Sequence, residues 1–221
     1  MKIQFLGHSC FLLEDSNVKI LIDPFLTGNS LATTTADNVV ADYIFVTHGH
    51  GDHIGDTISI AKRTDATVYA VVEIADEILA PEDIKTGRGN IGGKQKTDFG
   101  SVKYFPASHG SGVNGALACG YVLEVGGKKI YHAGDTGLIA EMQFLKDEKI
   151  DIAMLPIGDF YTMGPEDAVK AAGLISPKCV IPMHYNTFPV IKQNPEDFKN
   201  AVEDAGICDV RILSPGESLI I

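Results

Sequence analysis

Apolar and polar positions alternate in short runs over the first part of the chain, the pattern of half-buried strands. Ile3 to Leu6, Cys10 to Glu14 and Lys19 to Ile22 are separated by Gly7 and by the turn-like Asp15-Ser16-Asn17, which predicts a β-meander. Tyr43 to Thr47 is a continuous apolar, β-branched run, as expected of a strand covered on both faces. Downstream, Ile54 to Lys62 fits a helix, Thr67 to Val72 a strand and Ile74 to Leu79 a further helical piece. The segment Thr86 to Asp98, rich in Gly, Lys and Thr, reads as an exposed loop or hairpin with no assigned role.

Strands recur at Ser101 to Pro106, Ala118 to Val125 and Lys129 to Tyr131, the last two joined by Gly126-Gly127, a strong hairpin signal. The period then changes. Ile152 to Leu155 is a strand, Pro165 to Ile175 a helix with Glu166 and Asp167 in its first turn, and Cys179 to Met183 a strand ending in His184. Pro195 to Ala205 predicts a last helix stopped by Gly206, followed by two short strands. Strands on both sides of the chain with helices interspersed predict two sheets packed face to face, their outer faces covered by helices. No repeat or linker interrupts the pattern, so 221 residues are expected to form a single domain, residues 1 to 221.

Composition narrows the partners. With 18 basic and 29 acidic residues the net charge is -11, which disfavours long nucleic acid and anionic membrane surfaces. Met1 to His8 contain no long apolar run, so neither a signal peptide nor a membrane span is expected and the address is read as cytoplasmic. The four cysteines, Cys10, Cys119, Cys179 and Cys208, show no Cys-x-x-Cys spacing and read as buried reduced thiols.

The candidate chemistry lies in the seven histidines: His8, His48, His50, His53, His109, His132 and His184. Three of them fall in Thr47-His48-Gly49-His50-Gly51-Asp52-His53, where the Tyr43 to Thr47 run ends. In an extended loop His48 and His50 project to the same side, and the following turn brings Asp52 and His53 to a neighbouring point. That spacing suits two adjacent divalent ions, one on each pair; a single ion could not readily use all four. Exposed histidines opening a helix are the alternative, but the glycine spacers and the internal carboxylate favour a metal site.

This motif resembles the His-x-His-x-Asp-His signature of the metallo-β-lactamase superfamily, and the likeness continues through Ser108-His109-Gly110, through Asp135 in His132-Ala133-Gly134-Asp135-Thr136, and through His184. Gly7-His8-Ser9-Cys10-Phe11, Leu21-Ile22-Asp23-Pro24 and Thr162-Met163-Gly164-Pro165 look like the small metal-dependent hydrolase group (UPF0173-like) related to ascorbate-6-phosphate lactonase. The resemblance implies an α/β fold, a four-layer αββα sandwich with the site at one edge. It implies that His48, His50 and His109 hold a first ion, that Asp52, His53 and His184 hold a second, and that Asp135 bridges them. It further implies a hydrolase that uses a hydroxide shared by the two ions, with Asp52 and His8 as catalytic candidates, to cleave a small ester, lactone or phosphodiester.

Zinc suits histidine and carboxylate best, with manganese, iron and nickel as alternatives. Asp23 reads either as the acceptor for a metal-bound histidine or as a turn cap before Pro24; the resemblance favours the first. His8 and His132 read either as structural histidines or as groups near the reaction. Asp159, Tyr161, Thr162 and Met163, on the loop after Leu155-Pro156, and Asn186, after His184, are candidates for substrate contact or for loop capping. The expected partner is a small molecule, with an anionic one accommodated by the ions, and self-association stays open.

Two other functions compete. A metal-dependent nuclease or phosphodiesterase acting on long nucleic acid would need a basic gripping surface, which the sequence lacks. A non-enzymatic metal-binding regulatory protein would fit a site with a missing ligand, whereas every expected position is filled. A true β-lactamase is disfavoured by the expected address and by Asp135 at the bridging position. A redox enzyme of the same fold would be expected to carry Glu in place of His50.

Overall fold

The computed structural model describes residues 1–16 and 18–221; Asn17, the last residue of the expected Asp15-Ser16-Asn17 turn, lies outside the described residues. The antiparallel meander is present as β1 (Lys2–Gly7), β2 (Cys10–Asp15) and β3 (Val18–Ile22). β3 continues into a parallel set, β4 (Tyr43–Phe45), β5 (Thr67–Val71) and β6 (Thr86–Gly89).

A second sheet repeats the plan. Its antiparallel half is β7 (Lys94–Thr97), β8 (Gly100–Pro106), β9 (Cys119–Val125) and β10 (Lys128–His132). Its parallel half adds β11 (Ile152–Pro156), β12 (Cys179–Met183) and β13 (Asp209–Val210). β14 (Ser218–Ile220) returns to pair with β1. Among the described residues each sheet therefore has seven strands, in the orders β14-β1-β2-β3-β4-β5-β6 and β13-β12-β11-β10-β9-β8-β7.

The inner faces meet through aromatic side chains. Phe45 of the first sheet lies 5.0 Å from Tyr121 of the second, ring centre to ring centre, and stacks on Tyr69 at 4.8 Å. The Tyr121 hydroxyl donates to the Val46 carbonyl at 2.7 Å, so its one polar atom is satisfied inside the core. Full burial of rings of this size contributes roughly 1.5–3 kcal/mol each. It also fixes the sheet spacing just behind the histidine cluster.

Helices cover the outer faces. α1 (Gly51–Ile54), α2 (Thr57–Thr64) and α3 (Val72–Ile74) follow strands of the first sheet; α4 (Pro165–Ile175) and α5 (Pro195–Asp204) pack against the second. α4 buries Ala168, Ala171, Ala172 and Ile175, the stripe expected of an amphipathic helix. Pro165 opens it and Glu166 and Asp167 occupy its positive end. This is the expected αββα sandwich. No helix among the described residues is long and apolar enough to cross a membrane.

Two expectations on elements are corrected. The helix expected over Ile54 to Lys62 is split at Gly55, whose φ of +36° suits glycine and where a Cβ would meet the Pro24 carbonyl oxygen at 2.4 Å. The loop after β3 passes against the loop after β4 at that point, and Asp56 accepts hydrogen bonds from the Leu26 and Thr27 amides. The Thr86 to Asp98 segment is not a single loop or hairpin: β6 pairs with β5 at the edge of one sheet, and β7 forms a hairpin with β8 at the edge of the other. Its glycines gave a loop-like composition because Gly87 and Gly89 lie under the rings of Tyr69 and Tyr104.

Candidate metal centre

Strand polarity places the site. β1, β3 and β4 run in one direction within the first sheet, and β8, β10 and β12 in one direction within the second, as their pairings require. The segments after their carboxyl ends carry His8, Asp23, His48 to His53, His109, Asp135 and His184. Ligands of α/β sheets gather at this end because the strands stop and the connecting loops open there.

The loops close tightly. Gly49 donates its amide to the Ser111 carbonyl at 2.7 Å, and a Cβ there would meet a Val113 methyl at 2.6 Å. This close approach brings the His109 loop onto His48 and His50. His8, Asp23 and His184 take φ values of +59°, +45° and +55°. A non-glycine residue in this left-handed region stores roughly 1–3 kcal/mol, which persists where packing over-determines the site.

Two donor clusters result. In the first, His48 Nε2 lies 3.1 Å from His50 Nδ1, which lies 3.3 Å from His109 Nε2. In the second, ligand atoms of His8, Asp52, His53 and His184 lie within 4.8 Å of one another. Asp135 stands between them: Oδ1 is 3.2 Å from His53 Nε2, and Oδ2 is 3.0 Å from His184 Nε2 and 3.7 Å from His109 Nε2. All seven metal candidates named from the sequence are thus brought together.

Do these residues fit a metal? His53 Nε2, both ring nitrogens of His184 and Asp135 Oδ1 are buried without a hydrogen-bond partner. Such groups are costly to bury unless something satisfies them. His53 and His184 come within 3.2 Å of Asp135 without aiming at it as hydrogen-bond donors. Nitrogen and carboxylate lone pairs converging on one space are what a divalent cation requires.

Hydrogen bonds rooted at Asp23 set the tautomers. Its Oδ2 accepts from His53 Nδ1 at 2.8 Å and from the Thr47 hydroxyl at 2.7 Å, and Thr47 Oγ1 in turn accepts from His48 Nδ1 at 3.0 Å. Nε2 of both histidines is left as a lone pair facing the cluster. Oδ1 of Asp23 accepts the Thr47 amide at 2.8 Å. Asp23 thus occupies the histidine-orienting position, and Thr47 was missed although it directly precedes the motif.

Burial brings His48 down to about 2 and His8 down to about 4, so both are unprotonated at neutral pH. Without a cation His53 behaves oppositely: burial disfavours its charge, but the Asp135 and Asp23 carboxylates hold it well above the ordinary histidine range. Asp135 is held well below the usual carboxylate range, against the effect of burial, by His53 and His184. Asp52 and Asp135 are held ionised beside imidazoles kept unprotonated by burial, a donor set suited to cations.

The remaining candidates divide. His8 is fully buried; its Nε2 meets Asp52 Oδ2 at 3.2 Å and its Nδ1 meets Thr187 Oγ1 at 2.9 Å. It braces Asp52 from behind and does not border the cleft. His132 is also buried, with Nε2 on the Ser9 carbonyl and Nδ1 accepting the Gly134 amide, so it supports the Asp135 turn. Four further candidates do not border the cleft. Asp159 and Thr162 form a loop ahead of α4, bonded to each other and to Met163. Met163 is 1% exposed and donates its amide to the Thr136 carbonyl. The Asn186 side chain accepts the Gln193 amide at 2.9 Å. The side chains of Thr162 and Asn186 serve their own loops, the capping alternative that neither the motif nor the spacing could separate from substrate contact.

A cleft of about 650 Å³ opens over the cluster, bordered by His50, Asp52, His109, Asp135 and His184. Its walls are Phe25, Tyr161, Phe188 and Val190. Only Tyr161 among these was a sequence candidate. Phe25 sits two residues after Asp23 and Phe188 four after His184, which is the available signal for them.

Residues 2–184 match the family model described as "Beta-lactamase superfamily domain". A UPF0173 metal-dependent hydrolase of Pelotomaculum thermopropionicum is 49% identical over 99% of both chains. This chain is a member of the UPF0173 metal-dependent hydrolases. Another UPF0173 protein, from Archaeoglobus fulgidus, is 46% identical over 99% of this chain and 98% of its own. Among solved structures, the metallo hydrolase Igni18 of the hyperthermophilic archaeon Ignicoccus hospitalis superposes with a TM-score of 0.93 at 41% identity, covering 99% of this chain and 97% of that one. Like other members of the metallo-β-lactamase superfamily at this level of similarity, this UPF0173 chain is a metal-dependent hydrolase.

Replacing Asp23 with alanine should lower metal affinity or turnover by roughly 10 to 100-fold, because His48 and His53 lose their orienting acceptor. Metal titration of the purified variant reads this directly. Unchanged affinity would leave Asp23 with only the Thr47 amide to hold.

Proposed function

We propose that the chain hydrolyses a small ester, lactone or phosphodiester with a pair of divalent ions, zinc being the best match to the donors. The observation that carries this reading is the presence of two donor clusters joined at one carboxylate, Asp135, at the floor of an open cleft. His48, His50 and His109 would hold one ion, and Asp52, His53 and His184 the other, with Asp135 reaching both. A carboxylate suits that position because it has two oxygens, and its charge offsets the repulsion between cations.

When bound, such ions supply a water acidic enough to attack near neutral pH and positive charge for the oxygen of the bond being cleaved. The chain's own residues do the rest. Asp23 and Thr47 keep the histidine lone pairs turned inward. His8 meets Asp52 Oδ2 and so orients a carboxylate that would hold the second ion and, being partly exposed to the cleft, move a proton between the attacking water and the departing oxygen. Bond cleavage thus consumes one water and yields an acid and an alcohol, with no serine or cysteine nucleophile. The net charge of -11 supports a small-molecule substrate over long nucleic acid, and a cytoplasmic address fits the same reading.

Chelation followed by metal restoration tests this proposal. Stripped protein should lose hydrolysis of bis-p-nitrophenyl phosphate and of a lactone panel, and should recover it as zinc or manganese approaches two ions per chain. A protein that binds metal yet stays inert towards every substrate would be a binding module instead.

A further inference from the structure

We infer that the substrate's non-reacting portion is apolar and uncharged, a narrower class than the anionic molecules that the metal centre alone would admit. This rests on the hydrolytic reading above and concerns the walls of the cleft. The metal ligands at its floor engage only the bond to be cleaved. Everything else in the substrate must lie on Phe25, Phe188, Val190 and Tyr161.

Those four side chains make up the apolar border of the cleft. Phe25 and Phe188 lie with ring centres 6.4 Å apart, and both pack edge-on against the His8 ring, at 5.6 Å and 5.4 Å. His8 therefore ties this wall to Asp52, so its position relative to the reacting atoms is fixed. At the rim, Val190 is 51% and Tyr161 53% exposed, and Phe160 packs edge-on against Tyr161 at 4.8 Å. Apolar surface gathered beside a cleft, rather than scattered singly, marks a surface that a ligand covers.

The polar inventory points the same way. Among the described residues no lysine or arginine borders the cleft. A phosphate group remote from the reacting bond would lack the charged, bidentate partners that recognise it. The side-chain polar groups at the border are the His and Asp residues of the metal clusters, apart from the Tyr161 hydroxyl. A polyhydroxylated ring would give up its hydrogen bonds to water with almost nothing in return. An alkyl or aromatic group gains instead, about fourfold in binding for each methylene buried.

Matched ligands of the metal-loaded full chain provide the test. Hexanoate and gluconate are six-carbon carboxylates with the same oxygens at the reacting end, and their binding can be compared calorimetrically without turnover. δ-Hexalactone and glucono-δ-lactone give the corresponding pair for hydrolysis, each corrected for its spontaneous rate. Hexanoate is expected to bind at least about tenfold more tightly than gluconate, and δ-hexalactone to have the higher kcat/KM by a similar factor. Phe188→Ala should reduce that preference to about threefold or less, and Val190→Ser, at an exposed position, should reduce it in part even if Phe188→Ala fails to fold. Gluconate binding as tightly as hexanoate, no measurable binding of either, or a preference untouched by a folded variant would each overturn the inference. Hydrolysis without apolar preference would remove the inference and leave the hydrolytic reading; preferential hexanoate binding without any hydrolysis would do the reverse.

Discussion

Asp135→Asn is expected to empty both halves of the centre and to reduce turnover by well over the roughly 10 to 100-fold typical of losing an orienting partner. The reason is position. Asp135 faces His53 and His184 on one side and His109 on the other, so its charge is shared between the clusters. Asparagine keeps the size of the side chain but removes the negative charge that offsets two cations, and its amide nitrogen donates rather than accepts. Metal content per chain, measured on protein at equilibrium with excess zinc, should fall from two towards zero. Retention of both ions and near-normal turnover would show that Asp135 is dispensable. His53 would also lose one of the two carboxylates that flank it, so the metal-free variant should melt at a lower temperature than the metal-free parent.

His50→Ala should have a comparable effect on activity with a much smaller effect on the fold. His50 caps the start of α1 without a side-chain hydrogen bond to it, and it is only partly buried. Its Nδ1 is the atom shared by the contacts to His48 and His109. Removing it leaves the first cluster with two nitrogens, while Asp52, His53, His184 and Asp135 remain. The expected product is a folded protein that binds one ion per chain and has no measurable turnover. Circular dichroism establishes the fold, and metal analysis and lactone hydrolysis give the other two readings. Turnover close to that of the parent would refute a mechanism dependent on the pair of ions.

The fold was legible where side-chain period and burial agree. Tyr43 to Phe45, Ile152 to Pro156 and Cys179 to Met183 are parallel strands buried on both faces, and their unbroken apolar runs announced them. The Gly126-Gly127 turn did the same, since both residues take positive φ. Thr86 to Asp98 misled because a glycine beneath a tyrosine ring has the same sequence signature as a loop glycine. β6 pairs with β5, eighteen positions earlier, a partner beyond the reach of a local window. The break at Gly55 followed from Pro24, thirty-one positions earlier, a contact that no local window contains.

At the site, residue order together with the family resemblance named donors that the fold does bring together, because cation-binding donors are few and chemically distinctive. The groups around them were harder. Thr47 links Asp23 to His48 through a hydroxyl, and a threonine two residues past a β-strand carries no mark of that task. Phe25, Phe188 and Val190 belong to loops whose course depends on packing, so their arrival at the cleft could be seen only in three dimensions. Thr162 and Asn186 were attractive as polar residues near ligands, yet their side-chain hydrogen bonds are spent within their own loops. Loop-capping and substrate-binding residues are of the same chemical types, which is why sequence could not separate them.

The convergence of two donor sets on a pair of cations is tested most directly by anomalous diffraction from crystals grown with zinc, with data collected on both sides of the zinc edge. Two peaks are expected, one among His48, His50 and His109 and one among Asp52, His53 and His184, with Asp135 between them. A single peak, or peaks away from these side chains, would contradict a paired centre.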